Sequence, residues 1–183
     1  PRRANALAGL ALVVLASTLG AVLAQRHGSL EIFGGLLSVD GYSTFFKVLF
    51  VSVAMLTVMM SHRYLAVEGV SPGEYHFLVL CATLGMMVMA GAVDLITAFI
   101  GLETMAVSFY ILTGYLKPNP RSNEAAVKYF LIGAFSMAIL LYGMSLVYGV
   151  GRSPRLTEAA VHIRELPTRG APVVTLALLF TVI

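Results

Sequence analysis

The chain has 183 residues, of which 58% are hydrophobic and 11% charged, with a mean hydropathy of +0.88. Soluble domains carry about 25% charged residues, so this composition excludes an ordinary soluble domain and makes lipid the solvent for most of the surface. A net charge of +3 without an Arg/Lys stripe excludes a nucleic-acid partner, and a single cysteine, Cys81, excludes a disulfide or a thiolate cluster.

In chain order, the predicted elements are membrane helices. A helix needs about 20 apolar residues to cross the hydrocarbon core, and unpaired backbone groups rule out other structures there. The first span is 6–24. Arg2 and Arg3 precede it as in a signal peptide, but it exceeds the roughly 7–15 apolar residues of such a segment. The second is 42–61. The stretch 75–115 would be about 60 Å long as one helix, twice the core thickness, so it divides into 75–93 and 95–115. The break falls in "AGAVD" (90–94), where Asp94 is placed to cap the second helix. Loops with Pro, Gly and Asn, "VEGVSPGEYH" and "LKPNPRSNE", flank this pair. Ser122 is the predicted N-cap of the next span, 125–149. The connection 150–169 contains "LTEAAVHIREL", whose Leu156, Ala160, Ile163 and Leu166 fall at helical spacing and predict a short interfacial helix. A last span starts at 171 and is cut short, and the sequence reads as a piece of a longer protein. The whole is predicted as one membrane domain over 1–183, an all-α polytopic transmembrane bundle with about six spans. Arg and Lys residues divide evenly between the two sides, so charge does not set the orientation.

Three charged residues fall inside spans. Glu103 lies near the middle of 95–115, and a carboxylate there costs roughly 2.5–3.5 kcal/mol. Phe99, Ala106 and Val107 surround it on its own helix, while Tyr110, at i+7, shares its face. Burial raises a carboxyl pKa and a nearby ammonium lowers it, so such a group is suited to proton relay. The plainer reading is a protonated carboxyl making one interhelical hydrogen bond. Lys128 is the second candidate; Glu124 at i−4 offers it an ordinary surface pair, and it can also snorkel. Lys47, near a boundary, is read as snorkelling. Tyr110, Glu124 and Lys47 are secondary candidates. His76 is predicted as an interfacial hydrogen bonder. His62 and His76 invite a haem reading, but "VEGVSPG" separates them, so they do not share a helix. No phosphate loop, nucleophilic triad or metal-ligand cluster is visible.

Three stretches together, "VDGYSTFFKVLF", "EYHFLVLCATLGMMVMAGAVDLITAFIGLETMAVSFYILTGY" and "SNEAAVKYFLIGAFSMAILLYGMSLVYG", resemble the antiporter-like membrane subunits of proton-pumping NADH–quinone oxidoreductase, respiratory complex I. The "EAAVKYF" segment is similar to the subunit N branch. The resemblance covers residues 38–150. It implies a fourteen-helix fold with two inverted five-helix repeats, of which this chain would hold the N-terminal part, starting at the second helix. It implies that Glu103 matches the fifth-helix glutamate that pairs with a seventh-helix lysine, and that Lys128 matches a sixth-helix lysine. The seventh helix is cut before its lysine. The resemblance further implies proton translocation driven by NADH oxidation and quinone reduction elsewhere in the complex. Flavin, iron–sulfur clusters and quinone would sit in other subunits, with no cofactor in this chain. Expected partners are the other membrane-arm subunits, the lipid bilayer and protons. The expected location is the plasma membrane of a bacterium rather than the mitochondrial inner membrane. The alternatives are a cation/proton antiporter subunit of the related multi-subunit type and a non-transporting membrane scaffold.

Overall fold

A computed structural model describes residues 2–25, 30–165, 174, 175 and 179; the predicted span from 171 lies largely outside the described residues. Helices α1 (Arg2–Ala24), α2 (Gly41–Glu68), α3 (Pro72–Gly91), α4 (Leu95–Thr113) and α5 (Pro120–Gly151) follow one another, and the short α6 (Leu156–Arg164) closes the described part. Each of α1 to α5 is long and apolar enough to cross a membrane.

The helix limits depart furthest from the hydropathy reading at the end of α2. Helix α2 runs on past residue 61 to Glu68, because His62 and Arg63 end the apolar run but do not break a helix. What stops it is Gly69, whose φ of 66° puts it in the left-handed region and lets its N–H bond the Leu65 carbonyl. At the other end Asp40 accepts from the Ser43 N–H at 2.7 Å, and the Ser43 hydroxyl accepts from the Asp40 N–H at 3.1 Å. This capping box holds the Asp40 carboxyl below the usual aspartate range, chiefly through the Ser43 backbone hydrogen bond. The lowered folded pKa means the cap stabilises above an unfolded value of about 3.9 and is lost as acid protonates it.

Ser122 is not the cap of α5. Asn119 is: its side chain accepts from the Arg121 N–H at 3.0 Å, and Pro120 occupies the first helical position, where its missing N–H costs nothing. Ser122 instead donates to the Thr113 carbonyl at 2.8 Å, tying α5 to the end of α4.

Helices α1, α2 and α3 pack against one another. Ala11 and Leu15 of α1, Val51, Ala54 and Val58 of α2, and Val79 of α3 form the core. Next comes α4 against α3, then α5 against α4. Large apolar side chains such as Phe77, Phe130 and Phe135 stay exposed; in lipid that costs nothing, and helices associate through packing and hydrogen bonds instead.

One face of the bundle carries a layer the hydropathy pattern did not announce. Strand β1 (Leu30–Ile32) pairs antiparallel with β2 (Leu37–Val39), Leu30 opposite Val39, across a 3-10 turn at Phe33–Gly35. The Val93 N–H donates to the Leu36 carbonyl at 3.0 Å, Leu95 N–H to Pro154 at 3.0 Å, and Leu156 N–H to Val93 at 3.3 Å. The hairpin, the α3–α4 junction and the start of α6 are thereby one hydrogen-bonded belt. Arg155 locks it, donating to Glu31 at 2.8 Å and to the Gly35 carbonyl at 3.0 Å. Gly35, with φ 88°, is required there, since a Cβ would fall 2.9 Å from the Glu31 carboxylate. At the opposite, Gly69 face, Tyr115 donates to the Ser71 carbonyl. Burial, with the negative charge of Glu74, pushes its phenol pKa up and keeps it a donor.

Candidate functional site around Glu103

The site begins with a cap. Asp94, only 3% exposed, accepts from the Thr97 N–H at 2.9 Å and the Thr97 hydroxyl at 2.6 Å. It starts α4 only three residues after α3 ends, so the two helices fold back as a tight antiparallel pair. Two glycines set their spacing. A Cβ on Gly85 would lie 2.6 Å from the Gly101 carbonyl and the Met105 nitrogen; one on Gly101 would lie 2.7 Å from the Met89 nitrogen. The backbones touch.

That contact fixes where Glu103 faces. At about 100° per residue, Glu103 lies roughly 200° around α4 from Gly101, on the side away from α3. Tyr110 lies within about 20° of the same direction, two turns further along the helix. Glu103 is half-buried; no hydrogen bond or ion pair to it exists among the described residues. The helix that flanks this face is α5. Tyr110 packs edge-on to Tyr129 at 5.0 Å and to Phe130 at 5.6 Å.

Lys128 stands elsewhere. The α5 face toward α4 is made by Ala126, Tyr129, Phe130 and Gly133; Lys128 lies about 150° around the helix from its middle. The antiparallel pairing of Tyr110 with Gly133 and of Gly114 with Ala126 sets it roughly 13 Å along the axis from Glu103. Its ammonium bonds Glu124 at 2.5 Å, the two side chains being 68% and 62% exposed. The structure therefore brings Glu103 together with Tyr110, and Lys128 with Glu124, but not one pair with the other. Lys47 is half-buried and lies over Gly91, its Nζ 3.4 Å from where a Cβ on that glycine would be. This puts a cation at the C-terminus of α3, the negative end of the helix dipole.

His76 corrects the sequence expectation. It is 3% exposed, and neither ring nitrogen has a hydrogen-bond partner among the described residues. It sits one turn inside α3, on the face toward the α1–α2 core that Val79 also occupies, so the bundle covers it where an interface was expected. The residues missed by sequence reasoning are Gly85, Gly101 and Gly133, whose signal is only that glycine recurs inside helices where it costs about 1 kcal/mol.

The chain is similar to known proteins. Residues 92–182 match the model of the family described as NADH:quinone oxidoreductase/Mrp antiporter, transmembrane. NADH-quinone oxidoreductase subunit N 2 of Solibacter usitatus is 45% identical over 155 residues, covering 85% of this chain and 31% of that protein. Subunit N 1 of Koribacter versatilis is 45% identical over 185 residues, covering 97% and 36%. The chain thus spans about a third of the length of the curated relatives it matches. Among solved structures, a chain of respiratory complex I from Thermus thermophilus superposes with a TM-score of 0.78 at 30% identity, covering 98% of this chain and 37% of that one. A chain of an archaeal membrane-bound sulfane sulfur reductase shares the fold, with a TM-score of 0.73 at 22% identity. This multi-pass helical bundle, nearly all of which aligns with about a third of subunit N proteins and of a complex I chain, belongs to the NADH:quinone oxidoreductase/Mrp antiporter family of membrane subunits.

Proposed function

We propose that this chain is part of a subunit N that moves protons across the bacterial plasma membrane, and that Glu103 is the carboxyl that carries them. The observation behind the reading is the placement of Glu103: mid-helix in a span, turned away from the glycine-sealed α3 contact, and without a hydrogen-bonding partner among the described residues. A carboxylate so placed is costly unless it faces protein or water. Its ionisation then depends on the charge and hydration that reach that face. NADH oxidation and quinone reduction would take place on other subunits, and changes in field or hydration along the membrane arm would drive Glu103 to gain and lose its proton. Lys128, paired with Glu124 on the far side of α5, acts in this scheme on a neighbouring stretch of the polar axis rather than as the direct partner of Glu103. Lys47 serves the α3 terminus.

The test is Glu103→Gln in the full-length subunit within the assembled complex. Assembly should persist while proton translocation by membrane vesicles falls, and Glu103→Asp should keep part of it. Parent rates in Glu103→Gln would reject the role.

The matched family also contains Mrp antiporters, which supports a second reading, cation/proton exchange. Translocation that requires NADH and quinone favours the first; translocation that follows an imposed sodium gradient favours the second.

A further inference from the structure

Tyr110 is held by a residue that has no side chain. A Cβ on Gly133, in the middle of α5, would fall 2.7 Å from Cε1 and Cζ of the Tyr110 ring, so only glycine leaves room for it. Tyr129 and Phe130 then close on the ring at interplanar angles of 78° and 89°. The ring is fixed on all of these sides. The hydroxyl oxygen lies in the same notch, nearest of the ring's atoms to Gly133, and has no hydrogen-bond partner among the described residues.

Direction matters as well. Cα–Cβ bonds in a helix tilt toward its N-terminus, so Tyr110 leans from its own turn toward the turn of Glu103. The two Cα atoms are about 10 Å apart along the axis, too far for a direct bond and suited to a water bridge. Tyr110 also stands between Glu103 and the Gly69 face, where α4 ends at Thr113.

We propose that Tyr110, seated in the notch of Gly133, is the relay through which Glu103 exchanges protons with the Gly69 face. This rests on the reading of Glu103 as the proton carrier. In the step, a protonated water on the outer side of Tyr110 gives one proton to the phenol oxygen as the phenol O–H proton passes to the water beside Glu103. That water delivers a proton to the carboxylate. The outer water is left neutral, Glu103 is protonated and Tyr110 is unchanged. Phenylalanine at 110 would keep every ring contact and remove the relay.

The experiment compares vesicles carrying the assembled complex with the parent subunit, Glu103→Gln, Tyr110→Phe and Gly133→Ala. Tyr110→Phe should assemble normally yet translocate about a hundredfold more slowly, with a changed ratio of rates in H2O and D2O that a packing role would not produce. Gly133→Ala, which evicts the ring, should slow translocation too. Parent rates in Tyr110→Phe alongside a slow Glu103→Gln would overturn the relay and leave the carrier reading standing; parent rates in Gly133→Ala would overturn the notch as its seat. Parent rates in Glu103→Gln would instead remove the reading on which the relay depends.

Discussion

Toward α3, helix α4 presents Gly101 to Gly85 and lets backbone meet backbone. Toward α5 it presents Glu103 and Tyr110, and the contact is made by the rings of Tyr110, Tyr129 and Phe130. One seam is closed to side chains; the other is filled by aromatic side chains, with Gly114 and Gly133 making room for Ala126 and Tyr110. In lipid, close packing is what drives association, so a chain that must also keep an ionisable group needs both kinds of contact on one helix. The glycine seam brings backbones together, and the aromatic seam is built from side chains.

The comparison breaks most sharply at Gly101. Leucine there cannot be accommodated by a rotamer change, because the atoms in its way belong to the backbone of Met89 and Gly85. Gly101→Leu should cost more than the roughly 1–3 kcal/mol of ordinary overpacking, seen as loss of assembled protein or a large drop in melting temperature in detergent. A parent-like melting curve would mean the backbones are not in contact. On the aromatic side, Tyr129→Leu keeps an apolar filler but loses the edge-on pair, and should lower stability by only about 0.5–1.5 kcal/mol. If it proved as damaging as Gly101→Leu, the contrast between the seams would be lost. Smallest of all should be Lys128→Ala. Its ion pair with Glu124 is exposed and local, so denaturation should shift by less than about 1 kcal/mol, with a mild loss of translocation. An assembly defect without any transport defect would assign Lys128 a structural role.

Much of this architecture can be read from the sequence, for physical reasons that also mark the limits. Apolar runs of membrane length give the helices, and Asp94 is identifiable as a cap because it ends "AGAVD", the one plausible break in a run too long to be one span. The Glu124–Lys128 pair follows from i,i+4 spacing. Ser122 misleads because Asn119 followed by Pro120 is the stronger start signal. The hairpin escapes notice because each arm is three residues long, too short for an alternating pattern; only Gly34 and Gly35 hint at its turn. The direction in which Glu103 faces is not legible, since it depends on which neighbour touches Gly101. The same holds for His76, whose burial comes from the packing of α1 and α2 around it rather than from its position one turn inside a helix.

The central claim is that Glu103 changes protonation as the protein works. Infrared difference spectra of the full-length subunit in the assembled complex, recorded with and without turnover, test it most directly. A protonated-carboxyl band that appears or vanishes with turnover, and is missing in Glu103→Gln, is the result expected. A spectrum in which the parent and Glu103→Gln show the same carboxyl changes would contradict it.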